Sequence, residues 1–384
     1  MGNDATETGA TNATYSTNGD TVMTYRSSGA LRPAAPIPAE VAPDERKHRS
    51  TLIETAIAAL PGPYALWAFL LAAVFGVPGF MIARYFDTGS VDRALSLFEP
   101  NIPSVGTYFL ATFGITLYAL LGIRFMRSRT LATQKALVPL VPNGAEVVER
   151  TFEPATWFVP PAILTPVLLL VSFGAFPDQI QDVTGPGYFT LRILSFPLSY
   201  FIYATFIWVY LSSIRSLHLL GKGPLQLASF LEDSHFGLKP VGSLSLFLAL
   251  VYFIGLVLVA FSFLSLPLLF VGLIAALALP GIVLFFLPLF ALHGRMLDEG
   301  AKAHATLAAA YSRAAPLLNP GTTVVGPAAG GAVPGLLALQ ILEHRVSNIS
   351  RWPLDLRTVS WFSAILLSVA AAIATRYVLS YLGG

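Results

Sequence analysis

Seven stretches of the chain are apolar for long enough to cross a bilayer as helices, and polar or broken segments separate them. They run from Tyr64 to Ala83, Val105 to Ile123, Trp157 to Phe176, Phe189 to Ile214, Ser243 to Phe263, Leu268 to Leu292 and Val359 to Tyr377. Each is close to the roughly 20 residues that span the hydrocarbon core at about 1.5 Å per residue. The pattern predicts an all-α, polytopic membrane bundle of seven transmembrane helices.

The sixth stretch does not stop where its apolar run ends. In "FLPLFALHGRMLDEGAKAHATLAAAYSRA" no helix breaker separates Pro288 from Pro316, so one helix is expected to continue about 30 Å beyond the membrane. Past His293 it is amphipathic: Arg295, Asp298, Glu299, Lys302, Thr306 and Arg313 share a face, with Arg295–Glu299 and Asp298–Lys302 spaced for i,i+4 pairing. The other face is wide and mostly small, and includes Leu297, His304 and Tyr311. In water it needs a cover, and Leu336, Leu339, Leu342, Val346 and Ile349 recur at helical spacing in Gly335–Ile349. The Pro/Gly/Ala-rich segment between them has room to reverse the chain. A cytoplasmic helical hairpin, a short coiled coil, is therefore expected over 293–352, with Leu297, His304 and Tyr311 facing Leu339, Leu342 and Val346.

The remaining boundaries follow the same logic. Residues 1–50 are rich in Thr, Ala, Gly, Asn and Pro without periodicity and read as a disordered tail. Residues 51–63 open with Thr51 and Glu54 in capping-box spacing and read as a short amphipathic helix at the membrane interface, ended by Pro61-Gly62-Pro63. Residues 64–292 hold six spans and 353–384 the last. In "RWPLDLRT", Pro353 suits a first helical turn, Asp355 the positive end of the helix dipole, and Trp352 the headgroup level.

The order of a multi-pass bundle, "LHGRMLDEGAKAHATL", a second cytoplasmic helix and "RWPLDLRT" before a final span resembles a group of uncharacterised prokaryotic multi-pass membrane proteins. The likeness covers the last quarter of the chain and implies architecture, with no activity or site.

Composition agrees with the pattern: 55% of the 384 residues are apolar and 11% charged, against roughly 25% charged in soluble domains. The net charge of +2 says little, but its placement is informative. With the N-terminus inside, 19 Lys and Arg fall on the cytoplasmic side and only Arg84, Arg93, Arg192 and Arg376 outside. That asymmetry predicts an N-in, C-out protein of the inner (plasma) membrane. No secretory signal is expected, because the first long apolar run begins near Leu60. The chain has no cysteine, which removes thiolate chemistry.

Candidate chemistry is sparse. All 21 Asp and Glu lie outside the seven segments, which argues against a proton relay. His218, Glu232, Asp233, His235, His293, Asp298 and His304 form the one acid-base or metal-like constellation, but without HExxH spacing, and "LEDSHFGLKP" reads more simply as an interfacial turn. Nucleotide, hydrolase and nucleic-acid motifs are absent, so no catalytic residue, cofactor or metal ligand is assigned. The fourth span is the most polar, and Ser195, Ser199 and Tyr203 lie near one face, where hydroxyls line a cavity or serve packing. Pro280, Gly281 and Pro288 give the sixth span a place to bend. Three functional classes fit: an oligomeric channel or transport-like protein gated through the hairpin, a signalling or scaffold protein that docks a cytoplasmic partner on it, and an intramembrane metal-dependent enzyme. The lipid bilayer is a partner of all three, a homo-oligomer of the first.

Overall fold

The computed structural model describes residues 50–76, 103–142, 144–175, 186–229, 231–262, 268–314, 329–350, 352–354 and 356–382. The tail, the end of the first expected span, the linker after Ala314 and Asp355 lie outside them, as do the side chains of Ser195 and Leu336. Among the described residues the regular structure is entirely helical: α1 (Leu52–Ala58), α2 (Tyr64–Phe75), α3 (Pro103–Leu137), α4 (Gly144–Phe152), α5 (Val159–Ala175), α6 (Pro186–Lys222), α7 (Lys239–Ser262), α8 (Leu268–Ala314), α9 (Ala329–Ser347) and α10 (Leu356–Leu382). Five helical stretches are long and apolar enough to cross a membrane, within 110–140, 144–171, 196–222, 239–259 and 278–313, and α2 and α10 hold shorter apolar stretches. These features are those of a membrane protein.

The capping box expected at Thr51 is present. Thr51 Oγ1 accepts from the Glu54 amide at 3.3 Å, and Glu54 Oε2 accepts from the Thr51 amide at 3.0 Å. Ile53 and Ile57 are buried in the main core. Gly62, at φ 111°, turns the chain into α2 in a conformation that disfavours a side chain.

Several helices overrun their apolar runs. The spacing predicts a span ending at Ile123, yet α3 continues to Leu137 because its basic end finds partners: Arg124 lies over the Tyr64 ring at 4.6 Å, Arg129 over Phe247 at 5.7 Å, and buried Arg127 approaches Glu54 of α1 at 3.8 Å. The end of α6 is met in a similar way. Arg295 of α8 donates to the Lys222 carbonyl at 2.9 Å, where carbonyls lack helical partners. The expected Arg295–Glu299 pair is thus replaced by a helix cap, and Lys302 pairs with Glu299 at 2.6 Å.

Two apolar clusters organise the packing. The larger joins α1 and α2 to α3, α6 and α7 through Leu120, Ile123, Ile202, Val209 and Leu248. The smaller is largely aromatic and joins α7, α8 and α10 through Phe253, Phe285, Leu289 and Phe362, with the Phe285 and Phe362 rings stacked at 4.0 Å.

The long α8 runs through Pro280 and Pro288 as one helix. Gly281 has a packing reason: a Cβ there would sit 2.4 Å from the Tyr252 ring of α7. The extension of α8 contacts α9; Ala303, Leu339 and Val346 are buried and Leu342 is half-buried, while Met296 belongs to the main core. Leu297 (43% exposed) and the exposed His304 are not on this seam. The buried stripe of α8 lies one residue earlier, at Met296, Gly300 and Ala303; one residue rotates the face by about 100°. Tyr311 is half-buried and donates its hydroxyl to Glu343 across the pair.

Candidate functional site

Of the hydroxyls expected on one face of α6, Tyr203 meets another helix. Tyr203 hydrogen-bonds Thr116 of α3 at 2.8 Å, Ser199 is 7% exposed, and Thr130 and Ser213 approach at 3.5 Å. Thr205 and Ser213 donate to carbonyls of their own helix, Phe201 at 2.8 Å and Val209 at 2.7 Å. The bond of Tyr203 to Thr116 joins two helices, whereas Thr205 and Ser213 satisfy their hydroxyls within their own.

A cavity of about 650 Å³ lies instead where α8 leaves the bundle. Its walls are Phe285 and Phe286 of α8, Val359 and Phe362 of α10, and Trp352 and Leu354 of the strap before α10; Ser347, Asn348, Ile349 and Ser350 close one side and His235 another. The volume is that of a small-ligand pocket, and the lining is mainly apolar with a few polar groups, as such pockets require.

Each wall has a local cause. The strap is seated on α7 at Gly242, where a Cβ would fall 1.9 Å from the Pro353 carbonyl oxygen, so only glycine fits. Trp352 stacks on His293 at 4.0 Å with 13° between the rings, and Phe290 meets it edge-on at 5.6 Å. The segment "LEDSHFGLKP" is a compact turn. Asp233 accepts from the His235 and Gly237 amides at 3.0 and 2.9 Å, and Phe236 and Gly237 take positive φ angles of 55° and 81°. Burial pushes the Asp233 carboxyl up, but those two amides, the His235 ring and Lys239 outweigh it and hold it below its ordinary value. The turn is tied to α9 and the strap: Arg345 donates to the Leu231 carbonyl at 2.6 Å, and the Ser350 amide to the Ser234 carbonyl at 3.0 Å.

The histidine constellation is dispersed. His218 Nδ1 lies 3.1 Å from the Leu287 carbonyl oxygen, His293 is under Trp352, and His235 Nδ1 is 3.1 Å from Ser234 Oγ. Among the described residues no three His, Asp or Glu gather as metal ligands. Sequence reasoning placed Trp352 only as a headgroup anchor and missed the pocket, whose one local signal is the Phe285-Phe286 pair beside a Trp-Pro. Comparison with protein-family models, curated proteins and solved structures finds no match to this chain.

Proposed function

We propose that this is a seven-span plasma-membrane protein with a cytoplasmic N-terminus, and that it signals. In this reading the α8 extension and α9 form a cytoplasmic helical hairpin that docks a protein partner. The aromatic pocket at its root holds a small apolar or amphipathic ligand that sets the hairpin's position. One observation carries the proposal: the pocket is walled by the helix that continues into one leg and by the end of the other. Phe285 and Phe286 line it on the unbroken helix that also bears Ala303 and Tyr311, and Ser347 lines it at the end of α9. A ligand shifts an equilibrium only through unequal contacts with its two states, and a pocket that touches both legs and α10 offers such contacts.

The 19-to-4 division of basic residues supports the orientation. The channel reading has less support, because Tyr203, one of the three hydroxyls that would line a path, is bonded to Thr116 of α3. Among the described residues no cluster of metal ligands favours the metal-dependent enzyme.

The test uses the absence of native cysteine. A nitroxide on Ala309→Cys, an exposed site on the hairpin, reports hairpin motion in the full-length protein in lipid nanodiscs. Val359→Trp, at a position 46% exposed, fills the pocket from α10 without touching the hairpin. It is expected to change the nitroxide line shape, whereas Val378→Trp, elsewhere on α10, leaves it unchanged. Identical spectra for all three proteins would separate pocket from hairpin and remove the reading.

A further inference from the structure

Arg150 and Arg215 both fall on the cytoplasmic side in the sequence-based topology, and the structure brings them to one pocket. The first is in the last turn of α4 and the second near the end of α6, 65 residues apart in sequence. They line a cavity of about 160 Å³ together with Thr151, Trp208, Ser212 and Leu219. Among the described residues neither guanidinium has an ion-pair or hydrogen-bond partner, whereas Arg127, Arg295 and Arg345 are all committed to protein groups.

The scaffold that presents them is fixed. Trp208 Nε1 donates to the Pro154 carbonyl at 2.7 Å, and Ser216 Oγ to the Thr151 carbonyl at 2.7 Å, so α6 is tied to the end of α4 on both sides of the cavity. Two planar five-donor cations converging on one small space suit a tetrahedral oxyanion, which accepts from both forks. The surroundings indicate how such an anion is delivered. Leu219, in the cavity wall, is 48% exposed, and Trp157, whose amide donates to the carbonyl of the cavity residue Pro154, is 51% exposed. The site therefore borders the apolar surface that the bilayer covers, at the level where tryptophans and basic residues meet headgroups.

We propose that Arg150 and Arg215 form a binding site for a phosphate group, supplied by an anionic phospholipid of the cytoplasmic leaflet. The two guanidiniums hold the phosphate, and the acyl chains run along the exposed apolar face beside Leu219. The site is independent of the aromatic pocket.

Native mass spectrometry of the full-length protein tests this after extraction into mild detergent with equal amounts of phosphatidylglycerol and phosphatidylcholine. The wild type is expected to retain phosphatidylglycerol selectively. Arg150→Gln with Arg215→Gln should lower that retention by about tenfold or more, as expected for losing charge-assisted hydrogen bonds. Arg150→Lys with Arg215→Lys, which keeps both charges and tests folding, should retain an intermediate amount. Arg313→Gln, an exposed arginine on the hairpin, should match the wild type. Displacement of the lipid by millimolar inorganic phosphate would keep the anion site and overturn the lipid as its source. Equal retention of both lipids, or unchanged retention in the double glutamine variant, would overturn the site and leave two arginines that merely reach for the interface.

Discussion

Val346→Asp is expected to free α9 from the α8 extension while the membrane bundle stays folded. Val346 is 2% exposed on α9, which contacts the α8 extension. A carboxylate there loses its hydration among apolar groups, and the nearby Arg345 is already donating to the Leu231 carbonyl. An unpaired buried charge costs about 3 kcal/mol or more, which is large for a contact formed by two helices. Limited trypsin digestion of protein in nanodiscs reads the outcome, because Lys302, Arg313 and Arg345 are exposed and are shielded mainly by helical structure. Cleavage at these sites should accelerate at least tenfold, with the bundle fragment intact. Ile341→Asp, at a position on α9 that is 58% exposed, should leave the rate near wild type. Equal rates for both variants would mean that Val346 is not held in the seam.

Phe362→Ala is expected to loosen α10 and destabilise the protein by about 3 kcal/mol, the low end for truncating a buried ring. In a membrane the hydrophobic effect does not hold helices together, since lipid is as apolar as the side chains. What is lost is contact: Phe362 stacks on Phe285 at 4.0 Å and lies 6.3 and 5.9 Å from the rings of Phe253 and Phe286. It also walls the pocket, so the cavity enlarges and opens beside α10. Unfolding of purified protein in detergent, followed by tryptophan fluorescence, measures the effect. Trp361→Ala, one residue away but 58% exposed, should cost far less because its ring has few protein neighbours to lose. A larger loss at Trp361 would place the packed face of α10 elsewhere.

The parts legible in sequence were those written in local pattern. The capping box at Thr51 needs only two side chains three residues apart, and it forms as spaced. The long α8 follows from the absence of a breaker where polarity changes, and it runs unbroken to Ala314. On α9 the spacing marks Leu339, Leu342 and Val346 as one apolar face, and Leu339 and Val346 are buried, but the spacing does not say which of two adjacent stripes of α8 is buried. That choice depends on how closely backbones approach at Gly300 and Ala303, which periodicity does not encode. The pocket was not legible because its walls come from three distant stretches of sequence, at 235, 285–286 and 347–362. Its tightest constraint, the fit of Gly242 against the Pro353 carbonyl, looks in sequence like any glycine near a helix start. The arginine pair reads in sequence only as charge assigned to one side of a membrane, while its shared pocket needed α4 to fold back onto α6.

Cysteine accessibility tests the central claim, a cytoplasmic hairpin rooted in a multi-pass bundle, most directly. In intact cells a membrane-impermeant maleimide should label Ser90→Cys, in the first segment that the topology puts outside. It should leave Ala309→Cys and Ser128→Cys unlabelled until the membrane is opened. Labelling of Ala309→Cys from outside in intact cells would contradict the account, because the hairpin would then face away from the cytoplasm.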